Sequence, residues 1–378
     1  MQQPLTPFPL SGYFGSKYFC DREKETEKLL ENCRHGLSTT IISIRRMGKT
    51  GLIKHVAGQL PEKWAFIYLD ILYTENKPEL LDSLATAVIN AIPEKGRAGK
   101  KVWQFVKGLR PLLSFDLLTG APQVSFNVRN KEAEQNITDV LRLLENHPQP
   151  VVIAIDEFQQ ILNYPENQVD AWLRSIIQQL NNVTFIYSGS QQHLMNDLFT
   201  TPSRPFYRST QLLKLKSIPR ESYRNFITKH FKNHKRSISE DVADDMLEWT
   251  KLHTYYVQLL CSRVFMTNET TITRNIWHEE ARKILVEQEP VFLGYREMLP
   301  KKQWQLLKAI ATESTLNSPT ANDFINNYQL GSSSSVLRAL EGLLDKELAY
   351  YDFDEEGNKY YSPYDVLFER WVQKNKKQ

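Results

Sequence analysis

Two short stretches, far apart in the chain, carry residue types suited to handling phosphate and a divalent cation. The first is TTIISIRRMGKTGLIKHV, Thr39 to Val56. Bound phosphate needs several backbone N–H groups converging on it, a helix N-terminus behind, and one flexible cation at the outer phosphates. Arg45, Arg46, Met47, Gly48, Lys49, Thr50 and Gly51 lie between a predicted strand and a predicted helix, the setting such a loop requires. Lys49 would pair the β- and γ-phosphates, and Thr50 would offer its hydroxyl to Mg²⁺. Gly48 lets the backbone approach without a Cβ in the way. Ser43 stands where the strict G-x-x-x-x-G-K-[ST] pattern opens with glycine. A serine holds that turn if its φ is negative, but it restricts the loop and points to weaker nucleotide affinity.

The second stretch is VVIAIDEFQQI, which puts Asp156 and Glu157 at the C-terminal end of an apolar strand. Ligands of open α/β sheets bind at that end. Asp156 there can hold hydrated Mg²⁺, and Glu157 can orient and deprotonate an attacking water. A third polar strand end, VTFIYSGSQQHL, offers Ser190 or Gln191 as a nucleotide sensor, against the plainer reading of a glycine-containing strand-to-helix turn. In TPSRPFYRSTQLLKL, Arg204 and Arg208 are candidates to stabilise γ-phosphate charge, in cis or on a neighbouring subunit, against ordinary ion pairing.

The elements that would position these groups are legible in the hydrophobic pattern. TTIISI, AFIYLDI, VVIAID, TFIYSGS and LLKLKS read as strands. Leu52, Ile53, Val56 and Leu60 mark one helical stripe, Leu80, Leu81, Leu84, Val88 and Ile92 a second, and Ile137, Val140, Leu141 and Leu144 a third. Apolar strands alternating with helices predict a parallel sheet covered on both faces, a three-layer α/β domain over 1–217. A hairpin insertion interrupts it near 105–128, around Thr119-Gly120-Ala121-Pro122, after the basic stretch KGRAGKKVW. That stretch reads as a solvated loop, with a contact surface for a partner or nucleic acid as the alternative. Residues 218–292 read as a helical lid. Residues 293–378 read as three helices, a two-stranded wing and a closing helix, a winged helix-turn-helix.

Bulk properties exclude little but set the frame. The chain has 378 residues, 41% hydrophobic and 24% charged, with a formal charge of +3. That describes ordinary globular material without the basic excess of a nucleic-acid binder. Cys20, Cys33 and Cys261 show no CxxC spacing and read as reduced thiols. The opening segment lacks signal-peptide features and no apolar run is long enough to span a bilayer, so a cytoplasmic protein with no membrane partner is expected.

These stretches together resemble the archaeal-type AAA+/STAND P-loop ATPases, over most of the chain. YFCDREKETEKLL is similar to that family's N-terminal motif, with Phe19, Arg22 and Glu23 matching, which implies that Phe19 and Arg22 lie near the adenine. RRMGKT is similar to its double-arginine P-loop, with Ser43-Ile44 in place of Gly-Pro. IDEFQQI and YSGSQQHLM match its Walker B and sensor segments, and the hairpin before Walker B is a family feature. PFYRSTQLLKL resembles its Pro-Leu-Tyr-Gly-Arg segment with one residue missing, making Arg208 the equivalent of its arginine. WTKLHTYYVQLLC resembles the lid helix, with Thr254 in place of proline and His253 as the residue approaching the nucleotide. YYSPYDVLFERWV is similar to the winged-helix ending. The resemblance implies a five-stranded additional-strand core, with ATP or ADP and Mg²⁺ as ligands.

Three functions follow from this reading. The leading one is an ATP-hydrolysing molecular switch whose unidentified protein partner docks through the winged helix or the hairpin. The second is an ATP-dependent DNA-binding protein. It is disfavoured by the acids Glu341, Asp345 and Glu347 around the presumed recognition helix and by the acidic wing tip DFDEEGN. The third is a nucleotide-holding scaffold with little turnover. Oligomeric state is not legible in the sequence.

Overall fold

Five of the apolar runs become the strands of one parallel sheet. The computed structural model describes residues 4–117 and 119–376, so Leu118, within the predicted hairpin, and the extreme ends of the first and last predicted domains lie outside the described residues. The described chain forms two units: Arg22–Lys216, and a second built from the residues up to Asp21 together with those from Ser217 onward.

In chain order the first unit runs α1 (Glu23–Arg34), β1 (Thr39–Ile42), α2 (Lys49–Ala57), β2 (Ala65–Asp70), α3 (Lys77–Ala91), α4 (Gly96–Gly108), β3 (Leu112–Phe115) and β4 (Pro122–Ser125). It continues with α5 (Asn130–Glu145), β5 (Val151–Asp156), α6 (Val169–Ile177), β6 (Val183–Ser188), α7 (Gln192–Thr200) and β7 (Gln211–Lys214). The sheet order is β2-β5-β6-β1-β7 with each neighbouring pair parallel. β6 therefore lies between β1 and β5, and all five C-terminal ends share one edge. All six residues of β5 and of β6 are buried, as expected of strands covered on both faces. The covering helices bury the predicted stripes: Leu52, Ile53 and Val56 on α2, Leu80, Leu81, Leu84 and Val88 on α3, Ile137, Val140, Leu141 and Leu144 on α5. Asn76 starts α3 as an N-cap, accepting from the Glu79 N–H at 3.0 Å.

The basic stretch KGRAGKKVW differs from its expected form. It is not a solvated loop but the helix α4, which also takes in Phe105–Gly108 from the stretch read as hairpin. Its charges lie on the wet face, while Val102 and Val106 are buried one turn apart. The hairpin itself reduces to β3 and β4, paired antiparallel from Leu112↔Ser125 to Phe115↔Pro122.

The second unit carries α8 (Arg220–Asn233), β8 (Ser237–Ile238), α9 (Glu240–Trp249), α10 (Thr254–Met266), β9 (Thr271–Ile272), α11 (Arg274–Met298) and α12 (Lys301–Glu313). It closes with α13 (Asn322–Asn327), α14 (Ser333–Asp345), β10 (Ala349–Phe353), β11 (Lys359–Pro363) and α15 (Val366–Lys376). The strands β10 and β11 form the antiparallel wing. One core joins Tyr223 and Phe231 of α8, Leu260 of α10, Phe292 of α11, Leu343 of α14 and Phe368 of α15. The helical segment and the winged helix are thus packed into one another, and the position between 292 and 293 falls inside the continuous helix α11. No described helix is long and apolar enough to cross a membrane.

Candidate functional site

The loop after β1 closes around a lysine. Gly48 sits at φ 94°, where a side chain is strained, and opens α2; Arg46, at φ 61°, carries the same left-handed strain without being glycine. Ser43, by contrast, is not among the positive-φ residues, so serine meets the backbone demand at that position. Lys49 is 7% exposed. Its ammonium donates to Ser43 O (3.2 Å), Ser43 Oγ (3.2 Å) and Ile44 O (3.0 Å). The serine hydroxyl is thus an extra acceptor for Lys49 that a glycine would not supply. Met47 is buried, while Arg45 and Arg46 are exposed.

The carboxylates lie at the same edge of the sheet. Asp156, buried, accepts at Oδ2 from Thr50 Oγ1 (2.6 Å) and Tyr68 OH (3.0 Å), and at Oδ1 from Ser188 Oγ (2.6 Å) and its neighbour's N–H (3.2 Å). A hydroxyl from the start of α2 and one from the end of β6 thereby meet on the acid that ends β5. Burial, and then the charge of Asp156, push the Tyr68 phenol far above its usual range, so it stays a donor. Asp70, paired with Asp156 across β2 and β5, is also pushed up, by burial first and then by Asp156 and Glu157.

Glu157 adopts φ 57°, the left-handed region, which turns its carboxylate off the strand axis. Its Oε2 accepts from Gln159 Nε2 (2.6 Å), Ser190 N–H (3.0 Å) and Ser190 Oγ (2.8 Å). Gly189 is the residue that lets this turn close, because a Cβ there would collide with Gln159 Oε1 and with Met195.

The structure brings together Lys49, Thr50, Asp156, Glu157 and Ser190. Arg208 is not with them. It precedes β7 and so lies at the N-terminal end of the sheet, opposite the loop, beside the Tyr207 ring (5.2 Å) in the wall of a cavity of about 260 Å³. Contact with the phosphate site of its own sheet is ruled out by that position. Arg204 is an ion-pairing residue, bonded through Nε to Asp197 at 2.7 Å and near Asp170 at 3.8 Å. Arg22 is buried, caps α1 at φ 77° and binds Glu25 (2.8 Å) and Lys216 O (2.6 Å). Phe19 and His253 belong to the other unit, where Phe19 meets Tyr13 edge-on at 5.8 Å and His253 opens α10 with its ring 4.7 Å from Tyr256. Tyr68, Ser188 and Gln159 join the site beyond the residues expected from the sequence. Ser188 had a signal, as the first polar residue of the β6 end; Tyr68 and Gln159 had none until strand order was known.

A lysine-cradling turn between a strand and a helix, joined by a hydroxyl to an acid on a nearby strand of a parallel sheet, defines a P-loop nucleotide site. The chain belongs to the family described as "ATPase domain predominantly from Archaea", whose model matches residues 19–258, and a winged helix domain model matches residues 290–374. It is a P-loop ATPase of that family. Among solved structures it is similar to a Walker-type ATPase of Pyrococcus abyssi, with TM-score 0.67 at 17% identity, covering 97% of this chain and 100% of that one. It is also similar to the ORC2 protein of Aeropyrum pernix in its ADPNP–ADP complexes, with TM-score 0.60 at 11% identity and 98% of each chain covered. At those identities the likeness is one of fold. No curated protein matches the sequence.

Proposed function

We propose that this chain is an ATP-hydrolysing switch: it binds Mg-ATP at the Ser43–Gly51 loop, hydrolyses it, and passes the nucleotide state to a protein partner. The observation that carries the reading is the 2.6 Å hydrogen bond from Thr50 to Asp156, which ties the loop helix to the acid-bearing strand end. Among the described residues no cluster of three or more His, Cys, Asp or Glu side chains is arranged to hold a metal. Mg²⁺ does not need one, because it keeps several waters and takes one or two protein oxygens beside the phosphates. Thr50 Oγ1 and Asp156 Oδ2 are hard oxygens suited to it, and the ion would neutralise charge on the outer phosphates. Lys49 would leave its loop acceptors for phosphate oxygens, a charge-assisted exchange. The N–H groups of Arg45 to Gly51 would meet the same anion. Glu157, held by Ser190 and Gln159, would orient the attacking water, and Ser190 would couple that carboxylate to nucleotide state. Arg208 could act only on the nucleotide of a neighbouring subunit. Phe19, Arg22 and His253 remain proposed nucleotide contacts on the strength of the family resemblance.

Calorimetric titration with Mg-ATP and steady-state phosphate release test this. Wild type should bind and turn over; Lys49→Ala should lose both; Glu157→Gln should bind while turnover falls on the order of a hundredfold or more. Absence of heat in the wild type, or unchanged turnover in Glu157→Gln, would sink the proposal. The wing carries Asp352, Asp354, Glu355 and Glu356, which favours a protein partner over a DNA backbone.

A further inference from the structure

The hairpin β3–β4 has one finished edge and one open edge. Along β4 the outward main-chain groups are met by side chains of α3. The Val124 N–H donates to Thr86 Oγ1 (3.0 Å) and that hydroxyl donates to Val124 O (3.3 Å); Asn90 Nδ2 donates to Pro122 O (3.1 Å), and the Phe126 N–H donates to Asp82 Oδ1 (2.8 Å). Asp82, Thr86 and Asn90 are spaced four apart and share one helix face, so α3 substitutes for a strand on that side.

Among the described residues nothing comparable covers β3. Its register with β4, and the bond from the Asp116 N–H to Ala121 O (2.9 Å), fix the alternation of the ladder. Leu112, Ser114 and Asp116 turn their main-chain groups toward β4, and Leu113 and Phe115 turn theirs away. Among the described residues no strand pairs with that edge. The side chains are exposed too: Leu112 by 69%, Leu113 by 54% and Phe115 by 68%. Proteins normally blunt an edge strand with a charge, a proline or a bulge, and the four residues Leu112-Leu113-Ser114-Phe115 contain none of these.

The surroundings state what kind of chain fits. α4, which feeds directly into β3, carries Arg97, Lys100, Lys101 and Lys107, and Arg110 follows it. The nearby acids are engaged: Glu94 pairs with Lys107 at 3.0 Å, and Asp116 accepts from Thr119 and Gln123.

We propose that β3 accepts an extended, acidic segment of a partner protein as a third strand of the hairpin. Main-chain bonds to Leu113 and Phe115 supply affinity, Leu112, Leu113 and Phe115 supply apolar contact, and the basic segment leading into β3, with exposed Arg110 two residues from Leu112, selects acidic side chains. The inference rests on the reading of the hairpin as a partner-contact element, but not on nucleotide turnover.

The test is fluorescence anisotropy of the full chain with a labelled peptide of alternating glutamate and valine. Binding is expected, with loss when lysine replaces glutamate. N-methylating alternate peptide amides should weaken binding about tenfold for one set and leave the other set unchanged, because only one set faces β3. Leu113→Pro removes an outward N–H while sparing the bonds to β4, and should weaken binding several-fold with Mg-ATP affinity intact. Peptide binding in a preparation that does not take Mg-ATP would support this proposal and count only against the nucleotide reading. Equal effects of the two N-methylated sets, equal binding of the lysine peptide, or no glutamate–valine binding by a chain that does take Mg-ATP would each overturn it. So would a dimer of the full chain that Leu113→Pro dissociates.

Discussion

Asp156 carries four hydrogen bonds, from α2, β2 and β6 and from the N–H of its own neighbour Glu157. Thr50 and Asp156 are the oxygens that would hold the proposed Mg²⁺, and Tyr68 and Ser188 fix the carboxylate from β2 and β6. Lys49 is restrained in the same manner by Ser43. Ser43→Gly removes the hydroxyl acceptor of Lys49, so Mg-ATP should bind roughly two- to tenfold tighter, the worth of one hydrogen bond, in a calorimetric comparison. Weaker binding in Ser43→Gly would show that the serine organises the loop instead. Gly189→Ala addresses the other carboxylate. The new methyl would push Gln159 off Glu157, and if Glu157 is the base proposed above, its displacement should cost on the order of a hundredfold in turnover, with nucleotide affinity little changed. The residues named from sequence that meet here, Lys49, Thr50, Asp156, Glu157 and Ser190, were legible because each sits in a local motif at a strand end. Tyr68 and Gln159 were not, since their roles depend on which strands become neighbours and how the Glu157 turn folds. Arg208 was placed by a family segment, and a segment says nothing of which end of the sheet it will occupy.

At the scale of elements, β1, β5 and β6 were legible because nearly every residue in them is β-branched, aromatic or apolar, a composition that full burial demands, whereas β7, an edge strand of sequence QLLK, is largely exposed. The helix α4 was hidden by its own charges. Six of the eight residues from Lys95 to Val102 are lysine, arginine or glycine, which reads as solvent-facing coil, yet Val102 and Val106 share a face with Trp103 and Phe105 beside them. The α3–β4 seam was equally invisible, because polar residues at helical spacing usually mean a wet face. Here Thr86 both accepts from and donates to Val124, which is only 4% exposed. Thr86→Val keeps the shape and leaves that buried N–H and carbonyl unpaired. The expected cost is about 1–3 kcal/mol, read as a lower melting temperature, with faster hydrogen exchange at the Val124 amide. Unchanged exchange there would mean that the hairpin is held by its own ladder alone.

At the scale of the whole molecule, the chain returns to itself: residues before Asp21 fold with those after Ser217, and the first unit lies between them in sequence. Phe8, 1% exposed, is part of the second unit's core, so the opening segment is structural there. His230 of α8 is its anchor. The ring lies 5.7 Å from Phe8, 4.4 Å from Phe226 and 6.0 Å, stacked, from Tyr18, and its Nε2 is 3.2 Å from Lys17 O. Nε2 is therefore the protonated nitrogen, while Nδ1 is buried without a hydrogen-bond partner. Burial holds the imidazole pKa below its usual value; the hydrogen bond to Lys17 O works against that shift, and the nearby Lys17 and Lys229 ammoniums add to it. The sign follows. Above about pH 6.5, where a histidine in the unfolded chain is neutral, the contribution to stability is complete. As pH falls through that value toward the depressed folded pKa, the unfolded chain takes up a proton that the folded ring refuses, and stability is lost. Two separate hydrophobic cores make a single two-state transition the wrong expectation, so the loss should fall on the melting step of the second unit. His230→Gln keeps a donor for Lys17 O and cannot titrate. Differential scanning calorimetry between pH 7.5 and 5.5 should show that step drifting downward in wild type and drifting less in His230→Gln, with the other step equally affected in both. An identical drift in the two proteins would mean that some other group carries the acid sensitivity and that the aromatic cage holds the opening segment by packing alone.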